Sequence, residues 1–355
     1  MGPQEVKNAV RILTIDGGGI RGILPARLLQ ALEKVAVRHT TEMFDLIAGT
    51  STGGIIGCGL VARVSPEDLA DMYAIHGGEI FSGSLWRTVV TLDNLRGPKY
   101  APDALEELLK KKLGEDSWLS SVTGPDLLVP SYCIQLPKPE PLEGSNVLTT
   151  RRPYFFKSWK ASGRLLDPGE KADESDFQLW QIACATSAAP TYFPPATVTS
   201  KAGSQFAMID GGVFANNPAM CALASARLLF DADKFIVVSL GTGSLERAIN
   251  AKAAADWGEV QWLHPILNIL MDGSADTVGY ELDQMPEVQH HRFEISTGTD
   301  PSDPATVNED FDYATPDNIA RLEALARKLV EIHKEELRTV ADLLKASPPA
   351  VKRKS

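Results

Sequence analysis

The chain has 355 residues, a formal net charge of -11 and a 44% hydrophobic fraction, enough apolar material to bury the core of one large α/β domain or two small ones. This acidic balance, with a pI near 5.1, excludes general electrostatic attraction to nucleic acid polymers or anionic lipid, and the short basic end Lys352-Arg353-Lys354 does not reverse it. No apolar run reaches the roughly eighteen residues of a membrane span, and MGPQEVKNAVR lacks the apolar stretch of a secretory signal, so the expectation is a cytoplasmic chain that does not cross a membrane.

Taken in order, Val10 to Ile15 reads as a short strand and Asp16 to Gly22 as a glycine-rich turn. Leu24 to Arg38 reads as an amphipathic helix with Leu28, Leu29, Leu32 and Val35 on one face. Met43 to Ala48 predicts a second buried strand and Ile55 to Ala62 an apolar helix. Strand, helix and strand in such a short span form a βαβ unit, which implies a parallel sheet with helices on its faces. Ser65 as N-cap and Pro66 at the first position open a helix to about His76, and another runs from about Pro102 to Leu113. Leu127 to Gln135 and Tyr154 to Trp159 predict a hairpin across the Pro/Gly-rich loop Pro137 to Gly144.

Phe177 to Thr186 predicts a helix, and Gln205 to Ile209 a strand that delivers Asp210 into a second glycine turn. A helix from Pro218 to Phe230 precedes Lys234 to Leu240, the clearest buried strand, which ends at Gly241-Thr242-Gly243. Helices follow from Ala251 to about Met271 and, as one continuous element, from Asn318 to Leu344. Between them the acidic stretch Thr297 to Asp317 reads as a solvated connection without the spacing of a calcium loop. The expected organisation is a single domain over residues 1–345, with a core at 10–243, a helical part at 250–345 and a disordered tail at 346–355. Cys58, Cys133, Cys184 and Cys221 are far apart and read as reduced core residues, and neither a metal nor a cofactor is expected.

Gly49-Thr50-Ser51-Thr52-Gly53 is a G-x-S-x-G sequence between a buried strand and an apolar helix, the context of a nucleophile elbow. Small residues at Gly49 and Gly53 let the backbone bend sharply, and Ser51 then stands at a helix N-terminus, where orphan N–H groups favour developing negative charge. Gly17, Gly19 and Gly22 also spell G-x-G-x-x-G after a strand, the dinucleotide fingerprint. That reading needs an acidic residue at the end of the second strand, where this chain has Ala48-Gly49-Thr50-Ser51. Gly17, Gly18 and Gly19 suit an oxyanion hole instead, since consecutive glycines aim backbone N–H groups into one concavity.

A base for Ser51 is less evident. His264, His290, His291 and His333 are the candidates for a histidine triad, with His290 and His291 the least poor; Asp210 is better placed, although D-G-G alone slightly favours an Asx-type turn.

Asp16 to Gly22 (DGGGIRG), Gly49 to Gly53 (GTSTG) and Asp210 to Gly212 (DGG), in this order, resemble the signature blocks of patatin-like phospholipases, and Ala185 to Pro195 (ATSAAPTYFPP) is similar to a further block of that family. The resemblance runs from about residue 10 to about residue 243. It implies a three-layer α/β fold with a mostly parallel central sheet flanked by helices. It also implies a lipid acyl hydrolase with Ser51 as nucleophile, Asp210 as base and the amides of Gly17 to Gly19 as oxyanion hole. Arg21 matches an arginine of the first block, either to bind the substrate's phosphate or to make a structural salt bridge. The compact opening with DGGGIRG is similar to the phospholipase effectors of cyclic-oligonucleotide anti-phage systems, which implies a cyclic di- or trinucleotide activator. A phospholipid membrane surface is the implied partner, reached peripherally from the inner side, with Phe81, Leu85 and Trp86 as candidate lipid contacts.

Overall fold

The computed structural model describes residues 9–80, 103–141, 148–244, 248–298, 306–308 and 310–353. Its centre is a mixed, mostly parallel sheet, in the order β10-β9-β1-β2-β3-β8-β7, with β6 alongside β3. The strands are β1 (Ala9–Ile15), β2 (Leu46–Gly49), β3 (Asp126–Gln135), β6 (Arg152–Lys157), β7 (Ala196–Thr199), β8 (Gln205–Asp210), β9 (Lys234–Leu240) and β10 (Val288–Phe293), while β4 (Glu140–Pro141) and β5 (Leu148–Thr149) form a separate two-stranded pair. β1 runs parallel between β2 and β9. All seven of its residues are buried, as expected of a strand covered on both faces.

The two cores divide along the pleat. Leu13 and Ile15 join α1 (Ile23–Ala36) and α2 (Thr52–Val61) on one side. Val10 and Ile12 face α6 (Ala219–Leu229) on the other. α1 also carries α3 (Pro66–Ile80), α8 (Pro316–Ile332) and α9 (Lys334–Ala346). The remaining long helices are α4 (Asp103–Leu113), α5 (Leu179–Thr186) and α7 (Glu259–Asp283). The predicted cap of α3 is formed, with the Asp68 amide donating to Ser65 Oγ at 3.1 Å. Among the described residues no helix is long and apolar enough to cross a membrane.

One edge of β3 positions the site. Its first residues pair in parallel with β2 (Ala48 against Leu128), and farther along it pairs antiparallel with β8 (Ser131 against Asp210). Because β6 occupies the opposite edge over both stretches, β2 and β8 lie end to end on the same edge. Their C-terminal ends therefore meet.

Three expectations change. β2 begins at Leu46 because Thr40–Met43 forms a helical turn, its Thr40 amide and hydroxyl both donating to Glu33 Oε1. The continuous last helix is instead α8 and α9, broken at His333 (φ -97, ψ 12), whose ring contacts the Glu294 carbonyl at 3.1 Å and Glu336 at 3.0 Å. The expected disordered tail is held as far as it is described. The Ala350 amide donates to Asp45 Oδ1 at 3.2 Å and the Arg353 amide to the Leu229 carbonyl at 2.8 Å. Phe81, Leu85 and Trp86 lie outside the described residues.

Candidate active site

β2 ends at Gly49 and α2 begins at Thr52, leaving Ser51 at φ 53, ψ -121, a backbone conformation that L-residues rarely adopt. The flanking glycines are steric requirements. A Cβ on Gly49 would sit 2.0 Å from the Gly53 carbonyl oxygen, and one on Gly53 would sit 2.1 Å from that of Ile15. Hydrogen bonds hold the strained residue: the Ser51 amide donates to Thr186 Oγ1 at 2.9 Å, and that hydroxyl donates to the Pro130 carbonyl at 2.6 Å. Thr50 Oγ1 donates to the Ala215 carbonyl at 2.7 Å.

Asp210, the last residue of β8, is brought to the elbow by the shared edge of β3. Ser51 Oγ donates to Asp210 Oδ2 at 2.7 Å, and the Gly212 amide donates to Oδ1 at 2.7 Å. Burial pushes the carboxyl up to about 6, against the lowering effect of those two hydrogen bonds. It is thus ionised at neutral pH yet basic enough to take a serine proton during attack, the property required of a general base.

The first glycine turn abuts the serine. A Cβ on Gly17 would fall 3.1 Å from Ser51 Cβ and 2.4 Å from Asn216 Oδ1. The Gly17 amide itself donates to the Asn216 carbonyl at 3.1 Å, so it is committed to the fold, and Gly17 contributes close approach in place of an oxyanion donor. For the amides of Gly18 and Gly19, no acceptor is found among the described residues. Gly19 has φ +58 and lines the cleft.

Arg21 is only 2% exposed, and Nη1 donates to the Gly243 carbonyl at 3.1 Å with the guanidinium over the Phe311 ring at 4.9 Å. Of the two roles left open for it, this buried placement supports the structural one. At the head of the turn, Asp16 is salt-bridged to Arg292 at 2.7 Å, and Arg292 also reaches Glu294 at 2.7 Å. Burial nonetheless raises the Asp16 carboxyl to about 6.

A cleft of about 900 Å³, counting its open mouth, leads to Ser51 and Asp210. Its walls are mainly apolar, among them Ile55, Met72, Leu105 and Phe193. Leu270, Met271, Phe311 and Asp312 bring the C-terminal third into the lining, so the acidic stretch is more than the solvated connection expected. Among the described residues the lining includes no histidine. His264 lies in α7, His290 binds Asp283 at 2.8 Å, His291 approaches Glu336 at 3.5 Å and His333 marks the helix break.

Sequence reasoning did not find Thr186, Arg292, Leu270 or Phe311. Thr186 lies within the ATSAAPTYFPP stretch, whose resemblance was the one available signal; the others carry no local pattern.

The sequence profile described as "Patatin-like phospholipase" matches residues 13–223. Patatin-like protein 1 of Arabidopsis thaliana is 30% identical over 371 residues, covering 92% of this chain and 83% of that one. Patatin-like protein 2 of Oryza sativa subsp. indica is 32% identical over 322 residues, covering 79% of this chain and 73% of that one. Among solved structures, human GIVD cytosolic phospholipase A2 aligns at TM-score 0.45 and 13% identity over 97% of this chain and 61% of that one. A profile match over more than half of the chain, with 30% identity sustained across nine-tenths of it, places this protein in the patatin-like phospholipase family, serine hydrolases that act on ester bonds.

Proposed function

We propose that the protein is a lipid acyl hydrolase of the phospholipase A type that cleaves acyl esters of membrane phospholipids through a Ser51–Asp210 dyad. The observation that carries this reading is the 2.7 Å hydrogen bond from Ser51 Oγ to Asp210 Oδ2 at the floor of an apolar cleft. Asp210 takes the hydroxyl proton as Oγ bonds to the ester carbonyl carbon. The oxyanion faces the amides of Gly18 and Gly19, each donor worth about 3 to 4 kcal/mol in such sites. The lysolipid alkoxide then leaves with the proton from Asp210, and Ser51 retains the acyl group. Water attacks this ester, gives its proton to Asp210 and releases the fatty acid, and the proton returns to Ser51.

The test is fatty-acid release from phosphatidylcholine vesicles together with fluorophosphonate labelling. Ser51→Ala abolishes both, and Asp210→Asn is about as damaging because the pair acts as one unit. Labelling that persists at another serine would sink the assignment. By the resemblance of the DGGGIRG opening alone, the proposal extends to an enzyme working peripherally on the inner membrane surface and held down until a cyclic di- or trinucleotide binds. Vesicle hydrolysis across a nucleotide panel tests that extension, and full activity unchanged by every nucleotide refutes it.

A further inference from the structure

α7 stands apart from the other helices. From Val260 to Met271 its sequence, VQWLHPILNILM, has no charged residue. Among the residues of α7 whose burial is described, only Leu282 is buried. Ile266, Ile269 and Leu270 are 44%, 45% and 52% exposed. With Trp262 they fall at i, i+4, i+7 and i+8, one face of a helix. Trp262 also meets Trp257 edge-on at 5.1 Å.

This face is continuous with the cleft. Leu270 and Met271 line the cleft, and a Cβ on Gly212, whose amide holds Asp210, would fall 2.7 Å from Met271 Cε. We propose that the exposed face of α7 around Ile266, Ile269 and Leu270 is the surface on which the protein docks onto a zwitterionic phospholipid bilayer, so that an acyl chain passes along Leu270 and Met271 to Ser51.

Three observations select lipid as the occupant, given the reading of the site as a lipid acyl hydrolase. The face runs into the cleft that receives the acyl chain, so a second copy of this chain seated there would cover the cleft mouth. The run from Val260 to Met271 carries no charge in a protein of net charge -11, which suits a neutral lipid surface and not an anionic one. The tryptophan pair begins at the same end of the helix, and tryptophan favours membrane–water interfaces, where one part of the ring is apolar and the other wet.

Flotation with phosphatidylcholine vesicles tests this in the full-length chain carrying Ser51→Ala, which leaves the vesicles intact. Adding Ile266→Glu and Ile269→Glu lowers vesicle partitioning by about tenfold or more, and high salt does not change partitioning of the parent. In the protein with Ser51 present, the same two substitutions leave turnover of soluble p-nitrophenyl butyrate within about twofold, because neither side chain lines the cleft; that turnover also reports an intact fold. Equal flotation of parent and variant overturns the proposal, as does failure of the parent to float. A dimer-to-monomer change on light scattering with flotation unaltered assigns the face to a second copy and overturns it too. Flotation lost in the variant while the Ser51 protein releases no fatty acid from vesicles, either alone or with any nucleotide of the panel, upholds the docking surface and sinks the hydrolase reading instead.

Discussion

Arg292 on β10 holds Asp16 at the end of β1, its Nη2 lying 2.7 Å from Oδ2, and so ties the head of the first glycine turn to the edge strand of the sheet. Arg292 Nη1 also donates to Ser239 Oγ at 2.9 Å on the intervening strand β9. Arg292→Met strands a buried carboxylate, at a cost of about 3 to 5 kcal/mol. Adding Asp16→Asn recovers more than half of that loss, because the uncompensated charge is gone. Urea unfolding of both single variants and the double variant measures it. Additive losses would show that the charge is not the cause.

The acid limb of activity reports Asp210. The dyad needs the ionised carboxylate, and burial holds that group at about 6, so kcat/KM on a soluble ester rises with pH and levels off above an apparent pKa near 6. Stability runs the other way. The folded carboxyl binds its proton more tightly than the unfolded one, so Asp210 favours the fold fully at low pH, and this contribution is lost as pH climbs from about 4 through about 6. Asp210→Asn removes its share of that slope and is more stable than the parent at pH 8 by about 2 to 3 kcal/mol while inactive. Thermal unfolding from pH 4 to 8 checks both statements, and an unchanged slope would remove Asp210 as its source.

Backbone strain at Ser51 is separable from its chemistry. Ser51→Ala keeps a Cβ at φ 53, whereas Ser51→Gly relieves it. The glycine variant is expected to be more stable than the alanine variant by about 1 kcal/mol, with both inactive. Equal unfolding midpoints would mean that the turn is unstrained.

Thr186 bears on both strain and chemistry. Thr186→Val keeps the shape but leaves the Ser51 amide and the Pro130 carbonyl without the hydroxyl they share, costing about 1 to 3 kcal/mol. Thr186→Ser restores the hydroxyl and most of the stability. Turnover of a soluble ester falls in the valine variant with KM little changed, because the serine and not the cleft is displaced.

No titrating histidine enters this scheme. His290→Ala and His291→Ala retain most activity, since their rings engage Asp283 and Glu336 away from Ser51. A loss of several orders of magnitude in soluble-ester turnover in either variant would replace the dyad with a triad.

The parts of the molecule legible in the sequence are those with local patterns. β1 and β9 show as apolar runs, α1 and α3 as periodic or capped helices, and DGGGIRG, GTSTG and DGG as turns whose glycines answer steric demands such as that of Ile15 on Gly53. What stayed hidden depends on tertiary contact. Nothing near Gly17 in sequence shows that its amide is taken by Asn216, and no periodicity marks the turn at His333, because apolar spacing continues on both sides of it. By type Arg21 suits either the phosphate of a substrate or a structural salt bridge, and its burial against Gly243 and Phe311 supports the structural part.

The end-to-end placement of β2 and β8 on one edge of β3 makes that strand a ruler. The span from Leu128 to Ser131 fixes how far apart nucleophile and base can be, independently of the connections between the elements that carry them. Inserting one residue between Leu128 and Ser131 would shift Asp210 by about 3.3 Å along the strand, beyond reach of Ser51, and would turn the side chains that follow in β3 to the opposite face.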